Sequence, residues 1–259
     1  MKFLKKIKWT IKSILERHPI GYYLGNKLIN QFDLFLPHEE DYYGFKKLTQ
    51  LSHGLFLDIG ANDGKSARSF MKLFKKWRIY SVEANPLHKT SLQKLKKKYV
   101  NYDFKIGAIG KPNSRLMLYT PIYKKMVIHS AAAIDLNQVK YQMKKQFRKQ
   151  HILERMRYKE TQTHRIHLDD LNLKPDIIKI DIEGMEHIAL QCLEKTIQHN
   201  LPILLIEYNP NNYEHIKQLL FPKGYIARGF DIQHNRFVAF NQHRNCFFIP
   251  HQLENCLSL

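Results

Sequence analysis

Cysteine is scarce in this sequence of 259 residues, and the three that occur, Cys192, Cys246 and Cys256, are far apart. An odd number of cysteines at this spacing indicates neither a disulfide framework nor a zinc site. Scarce cysteine is typical of proteins that are kept in a reducing compartment. We therefore expect a cytoplasmic protein.

The sequence also lacks any apolar run that approaches the roughly 20 residues of a transmembrane helix. Residues 1–17 contain several lysines but neither a continuous apolar stretch nor a small-residue cleavage site, so they do not predict a secretory signal. Hydrophobic residues still form 44% of the chain, which is enough for a sizeable core. Length and composition together predict one large domain with a short extension.

Acidic residues are few, with 23 Asp and Glu against 42 Lys and Arg, and the formal net charge is +19. An excess of this size favours an anionic partner, which could be a nucleic acid, a membrane surface or a charged substrate. A lysine-rich, solvated surface without a partner explains the same excess. Charge therefore does not choose between these classes and says nothing about the fold.

Residues 2–17 have the pattern of a basic amphipathic helix, because apolar residues recur at steps of three and four and lysines fall between them. Such a helix either packs on its own domain or on a dimer partner, or it lies on the anionic inner face of a membrane. A second predicted helix begins at Tyr42. We accordingly interpret residues 1–50 as a basic helical amino-terminal extension.

Residues 55–64 place the apolar strand Leu-Phe-Leu-Asp-Ile before a loop that Gly60 opens and Gly64 closes, and a predicted helix follows over residues 65–77. This order is typical of a nucleotide pocket at the carboxyl end of a first strand. Three residues separate the glycines and no P-loop lysine follows, so neither the dinucleotide fingerprint nor the Walker motif matches. The loop therefore predicts a nucleoside ligand with little or no phosphate.

From residue 54 onward strands and helices alternate, which predicts an α/β fold with a mostly parallel central sheet and helices on both faces. The predicted parallel strands cover residues 55–58, 78–83, 102–108, 177–183 and 203–208, and residues 225–228 and 246–250 form a closing antiparallel pair. The pattern changes after residue 120, where we predict an inserted segment at about 121–160 that contains a polar helix over 137–160. The domain itself is predicted over residues 51–259, and the insertion is where we expect substrate specificity.

Acidic residues end several of the predicted strands. Glu83 ends the second strand, where an acid in this kind of pocket accepts hydrogen bonds from both ribose hydroxyls. A solvated or helix-capping acid is the alternative for Glu83. Glu207 ends the fifth strand and either approaches the same crevice or caps the strand end.

Residues 178–184 alternate apolar and charged side chains, so Lys179, Asp181 and Glu183 are predicted to share one face of the fourth strand. Central parallel strands are normally covered on both faces, and three unpaired charges there would be costly to bury. We therefore expect this face to open onto the ligand crevice. His187, at the start of the next helix, is predicted on the same side.

Five stretches together resemble the FkbM-type family of class I S-adenosylmethionine-dependent methyltransferases. They are residues 56–64 (FLDIGANDG), 82–86 (VEANP), 168–171 (LDDL), 176–186 (DIIKIDIEGME) and 206–207 (IE). The resemblance implies a Rossmann-like fold in which four loop residues hold the methionine end of the cofactor, namely Asp58, Gly60, Asn62 and Gly64. It further implies that Glu83 binds the ribose and that Ala108 lies beside the adenine. Residues 121–160 match no family pattern.

The resemblance also implies O-methylation, commonly of a sugar or another small hydroxyl in natural-product or surface-glycan assembly. Such a transfer needs donor and acceptor aligned and one proton removed. Asp181 is our predicted general base, with Glu183 and His187 as alternatives, and Lys179 orients Asp181 or lowers the pKa of a carboxylate. A divalent cation held by Asp181, Glu183 and Glu207 is another option, although no ligand spacing demands it.

Three other functions compete with this interpretation. A nucleic-acid methyltransferase is suggested by charge alone, and the sequence shows no RNA-binding module or aromatic-stacking signature. A non-catalytic scaffold that retains the fold is the second, and calorimetry with S-adenosylmethionine would reveal it. A nicotinamide enzyme is the third, and the glycine spacing disfavours it. The sequence does not identify the acceptor, which could be a glycan or a small molecule and either anionic or neutral. It also leaves the oligomeric state open.

Overall fold

The computed structural model describes residues 19–21, 37–49, 51–147, 149–182, 184–242 and 244–257. The amphipathic helix predicted over residues 2–17 lies outside the described residues, and so does Glu183. Within the described ranges, no helix combines the length and the apolar character needed to cross a membrane.

The described strands are β1 (Leu55–Ile59), β2 (Arg78–Glu83), β3 (Tyr102–Ile106), β4 (Ala108–Ile109), β5 (Arg115–Tyr123), β6 (Met126–Val127), β7 (Met156–Ile166), β8 (Ile177–Ile180), β9 (Ile203–Glu207), β10 (Tyr225–Asp231), β11 (Arg236–Ala239) and β12 (Asn245–Pro250). The described α-helices are α1 (Tyr42–Leu48), α2 (Lys65–Leu73), α3 (Lys89–Lys98), α4 (Leu136–Gln146), α5 (Gln150–Leu153), α6 (Glu186–Gln191), α7 (Glu194–Asn200) and α8 (Tyr213–Leu220). The chain divides into two compact units, one of residues 37–114 and 164–259 and a smaller one that includes residues 115–163.

The larger unit contains an eight-stranded sheet in the order β11-β10-β12-β9-β8-β1-β2-β3. The five strands from β9 to β3 are parallel, and β12, β10 and β11 add to the β9 edge as antiparallel neighbours. The mostly parallel sheet and the antiparallel pairing of β10 with β12 confirm the sequence-based prediction. β11 is an additional edge strand that was not predicted from the sequence.

Helices cover both faces of this sheet. On one face α1, α2 and α3 pack over an aromatic-rich cluster that includes Phe45, Phe56, Phe70 and Phe247. On the other face α6, α7 and α8 pack over an aliphatic cluster formed by alternate residues of β1, β8 and β9. This alternation follows from the two-residue period of a strand, which sends neighbouring side chains to opposite faces.

The ends of two elements differ from the prediction. β8 ends at Ile180 rather than at residue 183, because the buried Glu186 carboxylate accepts hydrogen bonds from the backbone N–H groups of Ile182 and Gly184 and turns the chain. The predicted helix over 185–199 is two helices, α6 and α7, separated at Cys192 and Leu193. The first deviation brings the chain out of β8 in a tight turn.

The smaller unit has its own apolar cluster, in which Tyr123, Val139, Met143, Phe147 and Ile152 are buried. The polar helix predicted over 137–160 is wrong at its carboxyl end, because the helix α5 ends at Leu153 and residues 156–166 form the strand β7. This segment is rich in Lys, Arg and Gln, which hides the half-buried alternation of its β-branched and aromatic residues. Within the unit, β7 lies next to β5, which pairs with β6.

Candidate active site

The glycine loop after β1 is a tight turn built from left-handed backbone conformations. Gly60, Asn62 and Gly64 have φ angles of +86°, +51° and +84°. The backbone N–H groups of Gly60 and Ala61 both donate to the carbonyl of Val82, at 2.9 and 3.2 Å, which fastens the loop to the end of β2. Glycine and asparagine tolerate such φ values at little cost, which explains the composition of this loop.

The two glycines are also required by their neighbours. A Cβ on Gly60 would overlap the backbone carbonyl of Asp181, and a Cβ on Gly64 would overlap the side chain of Leu95. The loop therefore packs directly on the chain leaving β8 and on α3. Glycine at these two positions lets Asp181 and Leu95 pack against the loop backbone. That Gly60 and Gly64 also bind a cofactor remains a prediction.

Glu83 is buried at the end of β2, and its carboxylate holds two backbone segments. One oxygen accepts from the N–H of Asn62 and the other from the N–H of Asn85, both at 2.7 Å. Burial raises the pKa of Glu83 to about 7, although these two hydrogen bonds oppose the shift. Each oxygen keeps a second lone pair, so Glu83 can still accept from a ligand.

Asp58 is buried at the centre of the sheet. One carboxylate oxygen accepts from the hydroxyls of Ser66, at 2.5 Å, and Ser81, at 3.2 Å, and the other has no hydrogen-bond partner among the described residues. Burial raises the pKa of Asp58, and the positive charge of Lys179 opposes this shift. The register explains the arrangement, because Asp58 lies opposite Ser81 on β2 and opposite Lys179 on β8.

Lys179 and Asp181 form an ion pair at the carboxyl end of β8, with the ammonium nitrogen 2.7 Å from a carboxylate oxygen. The lysine side chain is 3% exposed and the aspartate side chain 32% exposed, so a buried cation holds an accessible anion. Burial alone would lower the pKa of Lys179, but Asp181, Glu39 and Asp58 raise it above its usual value. Lys179 in turn holds the pKa of Asp181 below its usual value despite burial. We predicted that this face opens onto the crevice. In the structure Lys179 is buried and inaccessible, whereas solvent can reach Asp181.

The register of β8 and β9 sets Ile180 opposite Ile206, so Asp181 and Glu207 follow at the ends of neighbouring strands, and Glu207 contributes to the lowered pKa of Asp181. Among the described residues, no group of three His, Cys, Asp or Glu side chains has the geometry of a metal site. Glu183, the third member of the predicted cation site, lies outside the described residues.

His187 and Ala108 are the remaining residues predicted from the sequence. The His187 ring, on α6, stacks on the ring of His215 of α8, with centroids 5.5 Å apart and planes 9° apart. Its described contacts are therefore with α8 rather than with the Lys179–Asp181 pair. Ala108 is buried in β4, which pairs with the end of β7, where Ala108 lies opposite Arg165. The roles predicted for both residues remain predictions.

The sequence-based analysis missed a segment that enters the site from before β1. In residues 37–41 (PHEED), Glu39 and Asp41 both accept hydrogen bonds from the Asn245 side-chain amide, at 3.2 and 2.8 Å. Burial raises the pKa of Glu39, the positive charge of Lys179 opposes this shift, and the negative charge of Asp181 adds to it. The sequence does contain a sign of this segment, because a run of three acidic residues, 39–41, is unusual in so basic a chain.

Comparisons with known proteins identify the family and the fold. A family model described as "Methyltransferase FkbM domain" matches residues 58–231. The crystal structure of methyltransferase FkbM from Methylobacillus flagellatus KT matches with a TM-score of 0.52 and 16% identity, over 89% of this chain and 50% of that chain. The present chain thus spans half the length of that relative. Fibrillarin from Aeropyrum pernix, solved with natively bound S-adenosyl-L-methionine, matches with a TM-score of 0.42 and 12% identity, over 81% of this chain and 76% of that chain. No curated protein gives a match. The fold is the Rossmann-like fold of the class I methyltransferases.

Proposed function

Because this chain belongs to the FkbM methyltransferase family, we propose that it transfers a methyl group from S-adenosylmethionine to a hydroxyl of a sugar, glycan or related small molecule. The observation that carries the proposal is the Lys179–Asp181 pair at the end of β8. It places an accessible, ionised carboxylate beside the glycine loop in which the family holds its cofactor.

The residues around the loop fit this cofactor. Glu83 retains free lone pairs for the ribose hydroxyls, and Asp58 has a buried carboxylate oxygen without a hydrogen-bond partner among the described residues. Carboxylates outnumber cations near the end of β8, which suits a ligand with a positive sulfonium and a positive amino group. The cofactor, when bound, supplies an activated methyl group.

The role of the chain is to hold the acceptor and remove its proton. Asp181 is the proposed proton acceptor, because Lys179 keeps it ionised and fixes one of its oxygens. Glu207, at the end of the neighbouring strand, helps to hold the pKa of Asp181 below its usual value. A hydroxyl acceptor needs such a base, because it must lose its proton as the new bond to carbon forms.

The carboxyl groups of Glu39, Asp181 and Glu207 would repel phosphates close to the reacting hydroxyl, which disfavours a nucleic-acid acceptor. In this proposal the excess positive charge lies on the protein surface and not around the reacting groups. A small divalent cation is not needed for this mechanism. We place the reaction in the cytoplasm, in keeping with the reduced cysteines Cys192 and Cys246.

The test uses trideuteromethyl-labelled S-adenosylmethionine, purified protein and extracts of cells that lack the gene. Mass spectrometry should find the label on oxygen in a sugar, a glycan or a small hydroxylated metabolite. Asp181→Asn should abolish labelling while cofactor affinity by calorimetry stays within a few-fold. Glu214→Gln, which removes an exposed charge from α8, is the control and should label normally. Label on nitrogen, or full labelling by Asp181→Asn, would contradict the proposal.

A further inference from the structure

The segment of residues 37–41 is fixed to two elements of the larger unit. The backbone N–H of His38 donates to the Ser69 hydroxyl of α2 at 3.0 Å, and the His38 ring nitrogen Nδ1 lies 2.9 Å from the same oxygen. On the other side, the Asn245 amide at the start of β12 donates to Glu39 and Asp41. The segment precedes residues 58–231, so the family match does not include it.

These anchors hold the Glu39 carboxylate at Asn245, which lies opposite Glu207 at the end of β9. Its two oxygens are occupied unequally, since one accepts from Asn245 at 3.2 Å and the other lies 3.5 Å from the Nε2 atom of His38. The side chain is 17% exposed, so a ligand can reach a carboxylate that the protein already holds in place.

Charge around Glu39 is not balanced within the described residues. Lys179 is in direct contact with Asp181, and its positive charge interacts with the carboxylates of Glu39 and Asp58 as well. Arg244 also attracts Glu39, whereas Asp41 and Asp181 repel it. A site with surplus carboxylate and ordered acceptors is complementary to a cationic group that donates hydrogen bonds.

We propose that Glu39 binds the protonated amino group at the methionine end of the cofactor. This inference rests on the proposed function, since it needs the cofactor in this site, and it adds a residue outside the family match. Glu39 is held by Asn245 and His38, both outside the glycine loop, so its role is separable from that of Asp58 to Gly64.

Three ligands separate the amino group from the rest of the cofactor. S-adenosylmethionine has the amino group and the sulfonium charge, S-adenosylhomocysteine has the amino group alone, and 5′-methylthioadenosine has neither. Calorimetry with the full chain should show that Glu39→Gln lowers the affinity for S-adenosylmethionine and for S-adenosylhomocysteine by about tenfold or more. This is the loss expected when a charge-assisted hydrogen bond is removed. Affinity for 5′-methylthioadenosine should stay within twofold. Glu39→Asp, which keeps the charge, should recover part of the loss.

Glu214→Gln is again the charge-matched control and should bind all three ligands as the wild type does. Equal weakening of all three ligands by Glu39→Gln would show a structural role and overturn the inference. Weakening of S-adenosylmethionine alone would assign Glu39 to the sulfonium and overturn it as well. Unchanged binding of all three would also overturn it. A wild-type chain that binds none of them would instead overturn the proposed cofactor, and the Glu39 assignment with it.

Discussion

Asp181 is fixed to the glycine loop through its own backbone: its N–H donates to the carbonyl of Ile59 at 3.0 Å, and its carbonyl fills the space beside Gly60. The proposed base and the proposed cofactor loop are therefore one packed unit. A change in the loop moves the backbone of the residue that takes the proton, so binding and catalysis cannot be altered independently at Gly60.

Gly60→Ala is expected to destabilise the protein far more than Gly224→Ala. Both glycines have φ near +85°, but a Cβ on Gly224 meets no atom within 4 Å, whereas one on Gly60 overlaps Asp181. Backbone strain alone costs about 1 kcal/mol at Gly224, and Gly60→Ala adds the overlap to it. Denaturant unfolding monitored by circular dichroism measures both variants. Equal losses would show that the loop relaxes around the new methyl group.

Lys179→Met should lower the free energy of unfolding by about 2 kcal/mol, because it leaves the carboxylates of Asp58 and Asp181 without their buried cation. The estimate is reduced from that for a fully buried pair, since Asp181 is one-third exposed. Adding Asp181→Asn to Lys179→Met should restore part of the loss. A double variant whose loss is the sum of the single losses would show that the two side chains are not coupled.

The raised pKa of Glu83 makes the free energy of unfolding depend on pH, and it also determines the sign of that dependence. The folded chain holds this proton more tightly than the unfolded chain, so the stabilisation is complete below about pH 4.5 and is lost as the pH rises to about 7. Relative to Glu83→Gln, the wild type without ligand should lose about 3 kcal/mol over this range. Urea titrations of both proteins at several pH values give the difference, and a difference independent of pH would contradict the raised pKa.

The same carboxylate should make cofactor binding pH-dependent in the opposite direction. Ribose hydroxyls donate to the ionised form, so the affinity for S-adenosylmethionine should rise between about pH 5 and about pH 7, with proton release on binding. Calorimetry in two buffers of different ionisation enthalpy measures the released proton. Glu83→Gln should bind weakly at every pH, and a steep pH dependence that persists in it would assign the proton to another group.

The proposed membrane contact of residues 2–17 can be tested in the full chain. Reversing three charges together, Lys5→Glu, Lys6→Glu and Lys12→Glu, should reduce sedimentation with anionic vesicles at least tenfold, since each basic residue contributes about 1 kcal/mol near such a surface. A matched control reverses Lys94, Lys97 and Lys98 on α3, all of which are exposed. Equal loss in both proteins would show that net charge, rather than the amino-terminal segment, determines binding.

The sequence predicted well where local pattern and topology agree. Strand β2 matched its predicted limits, and the Asp58–Gly64 loop follows β1 as expected, because glycine spacing and strand alternation are local signals. The charged residues of β8 were found for the same reason. What could not be predicted depends on contacts between distant residues. The role of Glu186, for example, is set by Gly184 and by Asn212, which is 26 residues away.

The same distinction explains the missed segment and the misassigned strand. Glu39 and Asp41 gain their place from Asn245, more than 200 residues later in the chain, and no local pattern encodes such a contact. The first five residues of β7, 156–160, fall within the predicted polar helix because their sequence is polar, and their position beside β5 defines them as strand. Local sequence therefore located the loop and the pair, and tertiary contacts supplied the rest of the site.

The bridge from Asn245 to Glu39 and Asp41 also sets the order in which the protein can assemble. During synthesis the glycine loop and β2 are made early, but the acidic segment before them has no anchor on β12 until residue 245 has left the ribosome. Contacts over such sequence separation form late and slow folding. A nascent chain stalled before β12 should therefore carry the methyl-donor loop and still bind the cofactor poorly.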